Sequence, residues 1–225
     1  MPVPDPWVED PTDTPIINAN VARLDAAIAS SPGTRAPFSL ELIRDWHRAI
    51  HFGTAHVPRD EYIGNFRGEG SIHLRNYGVG FGQNPATGGR FDGSPPSMVG
   101  KHLAAFEAEM VAATAKWDAI MPTLADVTLS RLNTVIEDVA VLYATWIRIH
   151  PLADGNGRTA RVMLNWVMVR YGQPLILPGR PVLDRDGLVA ATSPAVPAAA
   201  SNVRPLVNHL RRRLKNVRAA AANGH

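Results

Sequence analysis

The residues with the clearest chemical potential lie in one run: His150-Pro151-Leu152-Ala153-Asp154-Gly155-Asn156-Gly157-Arg158-Thr159-Ala160-Arg161, set between two strongly apolar stretches. Pro151 ends whatever helix precedes it. An acid, two glycines and an amide then make a tight polar loop, and a new helix opens at Asn156 or Gly157. The first N–H groups of that helix have no acceptor within it, so they point at an anion. Gly155 and Gly157 let the backbone approach a phosphate closely and take positive φ. Arg158 and Arg161, three apart, share a helix face, and two guanidinium forks there suit a polyphosphate. Asp154 beside such a site is a natural Mg²⁺ ligand, because Mg²⁺ takes one or two carboxylates together with phosphate oxygens. His150 titrates near neutrality and can accept a proton from an alcohol. Singly, each residue reads as a cap or a turn. Jointly they read as a nucleoside triphosphate, Mg²⁺ and a base, the parts of a phosphoryl- or nucleotidyl-transfer site.

The elements that must position this run are mostly helices. Residues 129–149 place Leu132, Val135, Ile136, Val139, Leu142, Tyr143, Trp146 and Ile147 on most sides of a helix, which predicts passage through the core. Residues 156–171 continue after the loop, with Gly172 as the expected stop. Upstream, 97–118 is helical, as is a shorter segment from Ser39 with Leu42, Ile43, Trp46 and Ile50 on one side. Residues 18–30 form a first short helix, 1–17 a Pro-rich acidic arm on the surface, and 203–220 a final basic helix. A further short helix is expected near 186–192. Between about 53 and 98 glycine is frequent and helical period is absent; Ser71-Ile72-His73-Leu74 and Val79-Gly80-Phe81 read as strands, with a loop from Gln83 to Gly89. The fold class is therefore mainly α with one β-hairpin. The expected organisation is an arm and short helix over 1–38, a catalytic domain over 39–202 and the basic helix over 203–225.

Composition narrows the classes. The 225 residues suffice for a real core, and the absence of cysteine removes disulfides, thiolate zinc sites and a cysteine nucleophile. The first residues lack a basic start and an apolar run, so no signal peptide is expected, and a cytoplasmic location follows as the default, with delivery as an effector the variant on it. The net charge of +3 is concentrated late, at Arg204, Arg211, Arg212, Arg213, Lys215 and Arg218. No aromatic residues interleave there for base stacking, so a solvated helix end is expected rather than a nucleic-acid surface. His47, His51 and His56 have metal-like spacing, but Arg48 stands where a zinc protease needs Glu. No Walker phosphate loop occurs in the chain.

The run 150–161 resembles the signature of the Fic family, His-x-Phe-x-Asp/Glu-Gly-Asn-Gly-Arg-x-x-Arg. It agrees at His150, Asp154, Gly155, Asn156, Gly157, Arg158 and Arg161, and departs at Leu152, where the family has Phe and an apolar anchor suffices. Gly64-Asn65-Phe66-Arg67 resembles the family's Gly-x-Phe/Tyr-Arg, and the likeness covers about 40–172. The resemblance implies a helical Fic core that transfers AMP from ATP to a hydroxyl of a target protein. It implies His150 as base and Asp154 on Mg²⁺ between the α- and β-phosphates. It further implies Gly155, Asn156 and Gly157 on phosphates through backbone and amide, Arg158 on the β- and γ-phosphates, and Arg161 on the γ-phosphate. It also implies a flap that pairs with the target's backbone, expected over 71–96 with Ile72, His73 and Leu74 as docking residues. No Ser or Thr is followed four residues later by Glu, so the family's built-in inhibitory motif is missing, and a separate antitoxin-like inhibitor is one expectation. Relatives with Lys or Ala in place of the signature glycines act as kinases, whereas Gly155 and Gly157 are intact. Another nucleotide donor and a non-catalytic helical binding module are the alternatives.

Overall fold

The computed structural model describes residues 6–81, 88–177 and 203–222. The order is α1 (Thr14–Ala29), α2 (Leu40–Ile50), a 3₁₀ turn (Asp60–Tyr62), α3 (Ile72–Arg75), β1 (Gly80–Phe81), β2 (Phe91–Asp92), α4 (Pro96–Ile120), a second 3₁₀ turn (Leu124–Asp126), α5 (Leu129–Ile149), α6 (Asn156–Arg170) and α7 (Arg204–Ala222). The fold is mainly α, as the periodicity implies.

Helices α5 and α6 form the centre. Helix α5 packs against α4, α6 and α7, while α6 packs against α1, α2 and α5. Every residue of α6 is buried except Gly157 and Arg161. These two are four apart and lie on one face, so the helix meets the outside through one narrow window beside its N-terminus. The chain stops α6 where glycine predicts: Gly172 has φ 66°, its N–H bonds the Val169 carbonyl at 2.9 Å, and the Gln173 N–H reaches the Met168 carbonyl at 3.0 Å. Ser39 opens α2 by accepting from the Leu42 N–H at 3.2 Å. Helix α7 buries Leu206, Val207, Leu210 and Leu214; its Arg211 pairs with Glu137 and its Arg218 bonds Gln173.

Two expectations shift. Helix α1 begins at Thr14 rather than residue 18, with a proline in its first turn. The segment Ser71–Leu74 is not a strand. Ser71 accepts from the Leu74 N–H at 3.1 Å and starts the single turn α3. A strand would put Ile72 and Leu74 on the same face, whereas Leu74 is 1% exposed and Ile72 52%. Ile72, His73 and Leu74 therefore lie ahead of the hairpin, which pairs Gly80 with Asp92 and Phe81 with Phe91 in antiparallel register. The expected helix near 186–192 and most of the loop 83–89 lie outside the described residues.

Candidate active site

The signature begins at the cap of α5. His150 takes φ 49° and ψ 56°, the only left-handed residue other than glycine among those described. Such a backbone needs outside support, and Arg67 supplies it. Wholly buried, Arg67 donates to four carbonyls: His150 at 2.7 Å, Tyr77 at 2.8 Å, Ser94 at 3.0 Å and Ile149 at 3.0 Å. Its own N–H bonds the Pro151 carbonyl at 2.7 Å. Burial lowers the Arg67 pKa to about 10, so it is still cationic at neutral pH.

The His150 ring is oriented by its own helix. Its Nδ1 lies 3.1 Å from the Ile147 carbonyl, an acceptor only, so Nδ1 carries the proton and Nε2 the lone pair. Burial lowers the His150 pKa to about 4. The imidazole is thus neutral through the physiological range, the form a general base needs.

The loop is closed from within. Leu152 is fully buried in the core, the anchoring expected of it. The Asn156 side chain is 2% exposed and clamps Leu152 at both ends: its Oδ1 accepts from the Leu152 N–H and its Nδ2 donates to the Leu152 carbonyl, each at 2.9 Å. The amide expected on phosphate thus has both its ends on the Leu152 backbone, where it fastens the loop. Trp146 Nε1 donates to the Asn156 carbonyl at 3.1 Å.

Helix α2 braces the other side. His47 accepts at Nδ1 from the Gly64 N–H at 2.8 Å, so its Nε2 bears hydrogen and donates to the Asp154 carbonyl at 3.1 Å. Gly155 follows with φ 79°. A Cβ there would come within 3.0 Å of His51 Nε2 and 3.1 Å of His47 Nε2, so glycine is required both for its dihedral and for the space. Burial lowers both histidines to about 3; the second cause is the neighbouring His51 for His47 and the Arg158 charge for His51. Trp7 of the arm covers this pair, with ring centroids 4.7 Å from His51 and 6.1 Å from His47. His47 and His51 thus pack together behind the loop, and no three His, Cys, Asp or Glu side chains cluster for a metal among the described residues.

The two signature arginines part company. Arg161 sits on the α6 window with Gly157. Arg158 is 8% exposed and turns toward the N-terminal arm, pairing with Glu9 and, at 3.3 Å, with Asp154 Oδ2. Asp154 itself is about a third exposed at the N-terminus of α6. Across from the loop, a Cβ on Gly93 would lie 2.9 Å from His150 Cβ, so the hairpin's exit rests directly on His150. A groove of about 430 Å³ runs there, lined by Val79, Gly80, Asp92, Gly93 and Ser94 among others.

Sequence reasoning gives no part to Trp7, Glu9 or Tyr77, although the Trp7 N–H bonds the Tyr77 hydroxyl at 2.6 Å beneath the loop. No local pattern marks them. For His47 and His51 the signal is their shared helix face, and for Arg67 its short motif.

Known proteins resemble this chain in sequence and in fold. A model of the Fic/DOC family matches residues 37–168. Among curated proteins, "Protein adenylyltransferase fic-1" of Caenorhabditis elegans is 50% identical over 44 residues, 19% of this chain and 9% of that protein. A "Uridine 5'-monophosphate transferase" of Xanthomonas campestris is 39% identical over 56 residues, 25% of this chain and 10% of that protein. The chain thus matches about a tenth of the length of these relatives. Among solved structures, a Fic-domain signaling protein of Bacteroides thetaiotaomicron aligns with TM-score 0.59 at 23% identity, over 92% of this chain and 70% of that one. BepC of Bartonella tribocorum, solved with bound AMPPNP, aligns with TM-score 0.58 at 14% identity, over 91% and 88%. These likenesses are of fold.

Proposed function

The chain belongs to the Fic/DOC family, and from that premise we propose that it is a protein adenylyltransferase, moving AMP from ATP to a serine, threonine or tyrosine hydroxyl of a target protein. The observation that carries the reading is the His150 tautomer. With Nδ1 donating to Ile147, Nε2 holds a lone pair on a ring that burial keeps neutral.

The steps follow from the residues. The backbone N–H groups opening α6, at Asn156 and Gly157, receive phosphate oxygens together with the positive end of the helix dipole. Arg161, on the same window as Gly157, takes the outer phosphate. The charge of Arg158 stands behind the loop and acts there through its field. The target's hydroxyl reaches His150 beside the hairpin, whose groove suits an extended segment bonding to strand edges. Nε2 removes the hydroxyl proton as the oxygen attacks the α-phosphorus. The bond from that phosphorus to the bridging oxygen breaks, and pyrophosphate leaves.

The donor set fits Mg²⁺. Asp154 offers one partly exposed carboxylate next to the anion site, and its Oδ1 has no hydrogen bond among the described residues; Mg²⁺ needs one or two carboxylates and fills its remaining positions with phosphates and water. Bound there, Mg²⁺ would supply positive charge to offset the charge that builds on the phosphates during transfer.

Gly155 and Gly157 both remain glycine, which favours AMP transfer over phosphoryl transfer. The uridylyl-transferring relative supports a second reading, the same chemistry from another nucleotide, since the loop reads phosphates and not a base. Control by a separate small inhibitory protein is part of the proposal. Its support is that no Ser or Thr in the chain precedes Glu by four residues, and co-purification from the native host tests it. The function itself is tested with ATP labelled at the α- or the γ-phosphate, in lysate with Mg²⁺. Label passing to protein from the α position only, and lost in His150→Ala, is expected; label from the γ position would make the chain a kinase.

A further inference from the structure

Glu9 stands 149 residues before Arg158 yet touches it. The segment carrying it is fastened on both sides. Before it, Trp7 packs on His47, His51 and Tyr62 and donates its N–H to Tyr77. After it, Asp13, 5% exposed, accepts from the N–H groups of Ala55 at 3.0 Å and His56 at 2.9 Å. The Glu9 carboxylate is also fixed in rotation: Thr14 Oγ1 donates to Oε1 at 2.7 Å while Arg158 takes Oε2. The pair is poorly exposed, with 9% of the Arg158 side chain and 18% of the Glu9 side chain accessible.

We propose that Glu9 is a positioning residue that acts through Arg158 to keep Asp154 open to a divalent cation, so that the N-terminal arm is a working part of the active site. This rests on the reading of Asp154 as the Mg²⁺ ligand. A guanidinium beside a lone carboxylate closes on both oxygens in a fork. Here Glu9 holds Nη2 of Arg158, so only Nη1 reaches Asp154, on Oδ2 at 3.3 Å. Asp154 Oδ1 is left without a hydrogen bond among the described residues. Removing the Glu9 charge frees the whole fork for Asp154 and draws both oxygens away from the cation. His47 holds the same residue by its carbonyl, so the loop cannot shift to compensate. Supporting contacts of this kind change metal affinity or activity by about 10–100-fold.

The other use of such an arm would be as a plug, with the Glu9 carboxylate standing in for a phosphate. Its double fastening and the burial of the ion pair argue for a frame: withdrawing Arg158 would leave a largely buried carboxylate without its partner, a costly state.

The test uses the full chain and E9Q, which keeps the shape and removes the charge. Mn²⁺ binding in the presence of a non-hydrolysable ATP analogue is followed by electron paramagnetic resonance, and analogue binding without metal in parallel. Mn²⁺ affinity is expected to fall about tenfold, with metal-free analogue binding unchanged and the Mg²⁺ concentration for half-maximal transfer rising to match. T14V, which removes only the hydroxyl that holds Oε1, should move the metal dependence the same way by less, and it decides the matter should E9Q fold poorly. Unchanged Mn²⁺ affinity would overturn the proposal. So would a rise in transfer by E9Q, which would make the arm a plug. If the unmodified chain transfers no nucleotide at all, the functional reading fails while the Mn²⁺ comparison still decides the role of Glu9.

Discussion

At the scale of single residues the proposed chemistry turns on proton position. His150 is held neutral by burial, with a pKa of about 4, so transfer should persist as pH falls through 6 and decline only as the ring protonates near 4. A pH–rate profile on a target modified at saturating ATP measures this; a loss centred near the ordinary histidine value of about 6.5 would show the ring to be solvated instead. Gly155→Ala places a side chain at φ 79° against two histidine rings. The left-handed backbone alone costs about 1–2 kcal/mol, so a melting temperature lower by about 3 °C or more and loss of transfer are expected from thermal melts and assay together. The seven signature positions are legible in the sequence because their chemistry lies in type and spacing. The direction a side chain takes is not: Asn156 turns inward to Leu152, and Arg158 turns to Glu9, 149 residues away.

At the scale of elements, the long helices are legible because their apolar period runs for many turns. Helix α5 occupies the residues its pattern predicts, and α6 ends at its glycine. The hairpin region is harder. Four residues such as Ser71–Leu74 fit a strand or a helical turn equally well, and the serine cap and the burial of Leu74 settle it as a turn. The strands at Gly80–Phe81 and Phe91–Asp92 are two residues each and stand by pairing, which no local pattern encodes. That hairpin closes on His150 with no side chain between them. Gly93→Ala would bring Cβ within 2.9 Å of His150 Cβ and 3.0 Å of Arg67, so transfer to the protein target should drop several-fold with nucleotide binding retained, as separate titrations would show. Arg67→Lys leaves carbonyls at the end of α5 without donors and should lower stability by about 3 kcal/mol or more, read from denaturant unfolding.

At the scale of the whole molecule, a layer of buried histidines ties the arm and α2 to the signature loop, and it makes stability depend on pH. His47 and His51 sit near 3 and His150 near 4 in the fold, against about 6.5 in the unfolded chain. Below about 6.5 the unfolded chain takes up protons that the fold refuses, so stability is fully present above that pH and is lost progressively down to about 3. Melting temperatures between pH 7 and 4 should fall accordingly. His51→Leu should flatten the fall, since both ring nitrogens of His51 are buried without a hydrogen bond. The contact of this layer with the arm is the least legible part of the molecule, because Trp7 and Glu9 lie on one segment and His47 and His51 on another, and only the fold brings them together at one loop. The central claim is that AMP itself is what leaves ATP for a protein hydroxyl. Its most direct test is the mass of a target modified in lysate by the chain with ATP and Mg²⁺, with His150→Ala as reference. AMP transfer by His150 predicts a gain of one adenylyl group on a serine, threonine or tyrosine, absent with the variant; a phosphoryl gain, or an adenylyl gain that survives His150→Ala, would contradict it.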